Sequence, residues 1–234
     1  MNRIVIVFLA AFLLVSCSTK FSKILKSKDV EYKYKMAEQF YAKKDYSKAQ
    51  VLYEDIFQVM KGTPRYEDMY YKFAYSYYYQ KDYSNAENLF KNFMENFPSS
   101  GKLEEIEYMR AYSFFKESPK VDLDQTNTNK TMQLMQAFIN GHPGSKRITD
   151  ATEIIDQCRE KLEEKEFKAA QLYLNLGYYK AAAVAFGNVS DNFPDSTINL
   201  NYMYNCFFHW RKITIYLLNR RIFFLTKLKL IVNF

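Results

Sequence analysis

At 234 residues, 48% hydrophobic and with only six glycines and five prolines, the chain has the composition of a packed, mainly helical protein and excludes a collagen-like or disordered one. Its formal charge of +7 would suit a nucleic-acid binder, but the excess is terminal: Thr197–Phe234 holds six basic residues and no acidic one, and Arg3 supplies the seventh. That leaves 26 basic against 26 acidic residues in Cys17–Ser196, a neutral main body with ordinary expected affinity for phosphate backbones and no nucleic-acid partner.

The N-terminus opens with Arg3 and the apolar run Ile4–Val15. About twelve apolar residues are too few for a ~30 Å bilayer core and fit a secretory signal over residues 1–16. The run closes on LVSC, Leu14–Cys17, which resembles the bacterial lipobox. The resemblance implies that Cys17 becomes the first residue, bearing two acyl chains on a glyceryl thioether and a third, typically palmitate, on its amine. Several chains anchor stably where one is marginal. Residues 17–31 form a lipidated linker, and STKFSK after Cys17 lacks the acidic cluster of inner-membrane retention.

KDYSKAQVLYEDIF at Lys44–Phe57 returns as KDYSNAENLFKNFM at Lys81–Met94, 37 positions later. A period of this length marks stacked supersecondary units. Ala37 and Ala49 are twelve apart, as are Ala74 and Ala86, and Ala170 and Ala182. A large apolar residue stands four beyond each second alanine: Tyr53, Phe90 and Phe186. The pattern predicts antiparallel helix pairs in which alanines let the backbones approach and the large residues plug the next pair. Asp45 and Asp82 are expected N-caps. Pro64, Pro98 and Pro194 end the second helices, because proline cannot continue the hydrogen-bond ladder. In the fourth unit, Leu172, Tyr173 and Leu176 are expected to continue the apolar stripe, with Gly177 at the turn.

These features resemble the tetratricopeptide (TPR) motif, which implies an all-α, right-handed solenoid of antiparallel helix pairs. Four repeats are expected within residues 32–196, at 32–63, 68–98, 105–143 and 148–194. In the third, Ala111 and Thr131 are twenty apart, so eight residues are inserted around SPKVDLDQTNT, Ser118–Thr128, and a threonine replaces the second alanine. The fourth has an extended first helix, running without a breaker from Thr149 to Gly177.

The lipobox ahead of the first repeat, the DQT insertion before TMQLMQAFINGHPGS, and KEFKAAQLYLNLGYYKAAAVAFGNVSDNFPDS at Lys165–Ser196 together resemble the BamD family. These are the TPR lipoproteins of the outer-membrane β-barrel assembly machinery. The resemblance covers about Cys17–Ser196. It implies a lipid-anchored protein on the periplasmic face of the outer membrane. Its implied partners are the periplasmic domains of BamA, other assembly-complex subunits and unfolded outer-membrane proteins. A CpoB-like envelope-division adaptor is the alternative; a SusD-like glycan-binding lipoprotein is disfavoured by length. The family's fifth repeat has no counterpart in residues 197–234, which lack spaced alanines. A change of reading frame is the favoured account of this tail, and a basic membrane-surface segment the alternative.

Neither Cys158 and Cys206 nor His142 and His209 have metal-ligand spacing, so no metal or cofactor is expected beyond the lipid at Cys17. The adjacent carboxylates Glu104 and Glu105, and Glu163 and Glu164, read as solvated charge, and the chain is read as a non-enzyme. The candidate binding residues are tyrosines. In the third predicted helix, Tyr70, Phe73, Ala74 and Tyr77 take the core face, leaving Tyr71, Tyr75 and Tyr78 at i, i+4, i+7 on a second face. Tyr34, Glu38 and Tyr41 are their counterparts one repeat earlier. First helices line the concave side of a TPR, so this stripe either captures a peptide or pads the contacts between repeats.

Overall fold

The computed structural model describes residues 20–194, and every regular element among them is helical. The signal segment, Cys17, Cys206, His209 and residues 197–234 lie outside the described residues. The helices follow as α1 (Val30–Ala42), α2 (Tyr46–Met60), α3 (Tyr66–Tyr79), α4 (Tyr83–Asn96), α5 (Leu103–Glu117), α6 (Thr126–Gly141), α7 (Ile148–Asn175) and α8 (Tyr179–Asn192). A helical turn at residues 20–25 precedes α1. None of the described helices is long and apolar enough to cross a membrane.

The described residues divide into two compact units: 20–118 with 126–155, and 119–125 with 156–194. In the first, α1 packs on α2 and each helix then packs on the next as far as α6, the serial stacking of TPR hairpins. The reason lies in a repeated triplet on the second helices. A small residue is followed four and seven positions later by large ones: Ala49, Tyr53, Ile56; Ala86, Phe90, Phe93; Thr131, Met135, Phe138. All nine are at most 1% exposed, and each large side chain stabilises the stack by about 1.5–3 kcal/mol on burial. Ala37, Ala74 and Ala111 on the facing first helices are also fully buried. Thr131 fits an alanine position because its hydroxyl donates to the Asn127 carbonyl of its own helix (2.8 Å), leaving no unpaired polar group.

The hairpin turns share one device. Asp45 and Asp82 cap α2 and α4, their carboxylates accepting the backbone N–H of Lys48 and Asn85. The residue before each cap is left-handed, Lys44 at φ +61° and Lys81 at φ +65°. There the next N–H reaches back five residues, from Asp45 to the Phe40 carbonyl (2.9 Å) and from Asp82 to that of Tyr77 (3.1 Å). Gly177 (φ +79°) makes the same turn between α7 and α8, with glycine where it costs nothing.

In the second unit Ala170, Ala182 and Phe186 form a closed core against Phe167 and Leu174. Leu172, Tyr173 and Leu176 do not extend this core: they are 58%, 44% and 58% exposed. The core face of α7 runs through positions 167, 170 and 174, and the other three lie around the cylinder from it. The insertion is tied down here as well. The Gln125 amide donates to the carbonyls of Lys120 (2.8 Å), Val121 (3.3 Å) and Leu123 (3.1 Å), and is itself buried. From one face of α7, Lys161 donates to the Pro119 carbonyl (3.2 Å), Lys165 to that of Leu123, and Lys168 pairs with Asp122 (3.6 Å).

Candidate functional site

The tyrosine stripe lies in the first unit, on the first helices α1, α3 and α5. Adding the 37-residue period to Tyr34, Glu38 and Tyr41 gives Tyr71, Tyr75 and Tyr78, and adding it again gives Tyr108, Tyr112 and Phe115. The third row was legible in the sequence by this arithmetic and was missed.

The members of the stripe differ in what they do. Tyr75 is only 5% exposed; its ring meets Phe90 (5.3 Å) and Tyr71 (4.6 Å). Its hydroxyl donates to Glu105 Oε1 at 2.8 Å, and the Tyr71 hydroxyl shares that carboxylate. Burial first, and then this donation, raises the Tyr75 phenol far above its ordinary value. Tyr75 is therefore a tie between α3 and α5 rather than an open contact. Glu38 is another tie, accepting from the Tyr53 hydroxyl (2.6 Å) and the Lys72 ammonium. Lys72 also pairs with Asp68 (2.7 Å), Asp68 with Lys102 (3.0 Å), and Lys102 stands 4.6 Å over the Tyr71 ring. Burial works to raise the Asp68 carboxyl, but its two lysines outweigh it and hold the group below its ordinary value.

The open part of the stripe lies toward the C-terminal ends of the first helices. Tyr41 packs edge-on to Tyr46 (5.5 Å), and Tyr46 stacks on Tyr79 with centroids 4.4 Å apart. Tyr79 is 46% exposed. Tyr78 is half-buried between Tyr83 (5.4 Å) and Tyr112 (6.3 Å), and Lys116 lies 4.9 Å over the Tyr112 ring. Toward the other end, Arg65 covers Tyr34 and Arg147 covers Tyr108 (4.9 Å). The result is a band of rings with cationic flanks, three repeats long. Tyr46 and Tyr79 were not singled out in the sequence because they sit outside the i, i+4, i+7 spacing.

Other singled-out residues have structural partners. Glu105 takes Tyr75 and faces Arg147 (3.7 Å), while Glu104 accepts from Ser145 (2.6 Å); neither is merely solvated charge. His142 Nε2 meets Glu107 at 2.7 Å. Cys158 is fully buried and burial pushes its thiol up to about 11, a small core residue rather than a nucleophile. Among the described residues no group of three His, Cys, Asp or Glu side chains is placed to hold a metal.

No curated protein matches the chain. Among solved structures, a thermophilic TPR protein from Thermus thermophilus aligns at 13% identity with a TM-score of 0.39, covering 78% of this chain and 99% of that one. The profile of the outer membrane lipoprotein family YfiO matches residues 26–212, most of the chain and every described helix. The chain is thus a member of the outer membrane lipoprotein family YfiO, the family of BamD.

Proposed function

We propose that this protein is a non-catalytic scaffold of outer-membrane β-barrel assembly, anchored on the periplasmic face through acylated Cys17. Its partners are the periplasmic domains of BamA, other subunits of the complex, and unfolded outer-membrane protein segments. The observation that carries the reading is the aromatic band on α1, α3 and α5. Tyrosine offers large amphipathic contact at low entropic cost, the chemistry of interface hot spots. A barrel strand, with apolar and aromatic side chains in alternation, suits such a band. Membership of an outer membrane lipoprotein family supports the compartment.

The test replaces the open rings, Tyr41→Ser, Tyr78→Ser and Tyr79→Ser together, and measures binding of a C-terminal strand peptide from an outer-membrane protein. Affinity should fall at least tenfold, about 1.4 kcal/mol, with helical content retained. Unchanged affinity would reduce the band to packing. For the anchor, Cys17→Ala should release the protein from sedimented outer membranes in high salt. Continued sedimentation would show that lipid is not what holds it.

A further inference from the structure

The neutral main body conceals two opposite charges. Residues 20–48 carry nine lysines and four carboxylates, whereas residues 49–196 carry 17 basic and 22 acidic residues. All four carboxylates of the first segment are engaged: Asp29 caps α1, and Glu31, Glu38 and Asp45 pair with Arg65, Lys72 and Lys48. Lys20, Lys23, Lys26, Lys28, Lys43 and Lys44 are exposed, and among the described residues none of their ammonium groups has an ion-pair or hydrogen-bond partner.

The fold gathers these lysines. The turn at residues 20–25 buries Ile24 and sets Phe21 against Phe40, with centroids 5.8 Å apart. Phe21 thus brings the start of this segment to the C-terminal end of α1, beside the turn that displays Lys43 and Lys44. The segment then runs back, carrying Lys26 and Lys28, to the Asp29 cap at the other end of the same helix. One helix is thereby edged with unpaired cations along its length.

We propose that this edge of the first repeat is a docking surface for the anionic head groups of a lipid bilayer. Lys20 follows Cys17 by three positions, a chain length of at most about 11 Å. At physiological salt the field of a charged membrane decays over about 8 Å, so an acyl chain on Cys17 holds the patch within reach of it. A lipid anchor and a basic patch are complementary signals: the first sets distance, the second orients the repeats against the surface. The Cys17 anchor of the proposed function supplies proximity, but the affinity of the lysine edge for head groups is independent of the acyl chain and of peptide capture.

The mature chain, from residue 17 and carrying Cys17→Ser so that no lipid is attached, is mixed with vesicles of phosphatidylcholine alone or with one-third phosphatidylglycerol. Cosedimentation should be confined to the anionic vesicles and vanish in high salt. Replacing Lys20, Lys23, Lys43 and Lys44 with Gln should weaken it roughly tenfold or more. The matched variant Lys61→Gln, Lys91→Gln, Lys130→Gln and Lys146→Gln, also at exposed positions, changes net charge equally and should bind as the parent does. Circular dichroism confirms that each variant is folded. Equal losses in the two variants would show mere net-charge attraction, and equal binding to both vesicle types would remove the electrostatic basis; either overturns the proposal. So would binding to a polyglutamate peptide in the absence of vesicle binding, which would assign the patch to an acidic protein.

Discussion

Tyr75 separates the packing part of the aromatic band from its open part, and its hydroxyl can be removed without touching the ring. In Tyr75→Phe the contacts with Phe90 and Tyr71 survive, while the 2.8 Å bond to Glu105 is lost. A hydrogen bond to a charged acceptor is worth about 1.5–3 kcal/mol, but the Glu105 side chain is 37% exposed and water replaces part of the loss. The expected cost is therefore about 1–1.5 kcal/mol, a fall of about 2–6 °C in melting temperature for a chain of this size. Tyr75→Ala, which also empties a ring-sized space, should cost about 3–5 kcal/mol. The assay is a thermal melt by circular dichroism beside calorimetric titration of the same strand peptide. Tyr75→Phe should melt earlier and bind the peptide as the parent does. A variant that melts like the parent and binds tenfold more weakly would refute the assignment, because it would put the hydroxyl in contact with the guest.

Ala74→Leu and Ala182→Leu insert three carbons at fully buried positions and should each lose about 1–3 kcal/mol in a melt; shifts under about 1 °C in both would contradict the packing described. Lys44→Gly and Lys81→Gly relieve left-handed backbone at φ +61° and +65° and should together raise stability by up to about 2 kcal/mol, read as a higher denaturant midpoint. Burial, then the bonds to Glu38 and Glu105, raises the Tyr53 and Tyr75 phenols, so the folded state holds protons that an unfolded tyrosine releases near pH 10. Their contribution is complete below that pH and is lost as pH climbs above it, so phenolate absorbance at 295 nm should have a late component that rises only as helical signal falls. Full titration near pH 10 with helices intact would contradict this.

The hairpins were legible because TPR packing depends on single side chains at fixed spacing: Ala49 with Tyr53 and Ala86 with Phe90 mark core positions regardless of their neighbours. Thr131 hid the third plug, Met135, since the alanine that should have announced it was absent, and only the structure shows a hydroxyl satisfied within its own helix. Periodicity could not divide the tyrosines. Tyr75 and Tyr78 share a face by spacing, yet Glu105 from the next repeat claims one and leaves the other half-buried, a distinction that depends on non-local partners. Net charge failed in a similar way: summing over the main body cancelled a basic segment, residues 20–48, against an acidic remainder.

The serial stacking of α1 to α6 has a consequence for dynamics. When each helix leans mainly on its sequence neighbours, with side-chain ties such as Glu38–Lys72 and Tyr75–Glu105 joining successive first helices, stability is shared between adjacent hairpins, and opening can start at one end without the rest. Amide hydrogens of α3 and α4, supported on both sides, should exchange more slowly than those of α1. A strand laid across α1, α3 and α5 would couple three separable hairpins, so its arrival should be recorded as slowed exchange spreading outward from the middle repeat, in residues the guest never touches.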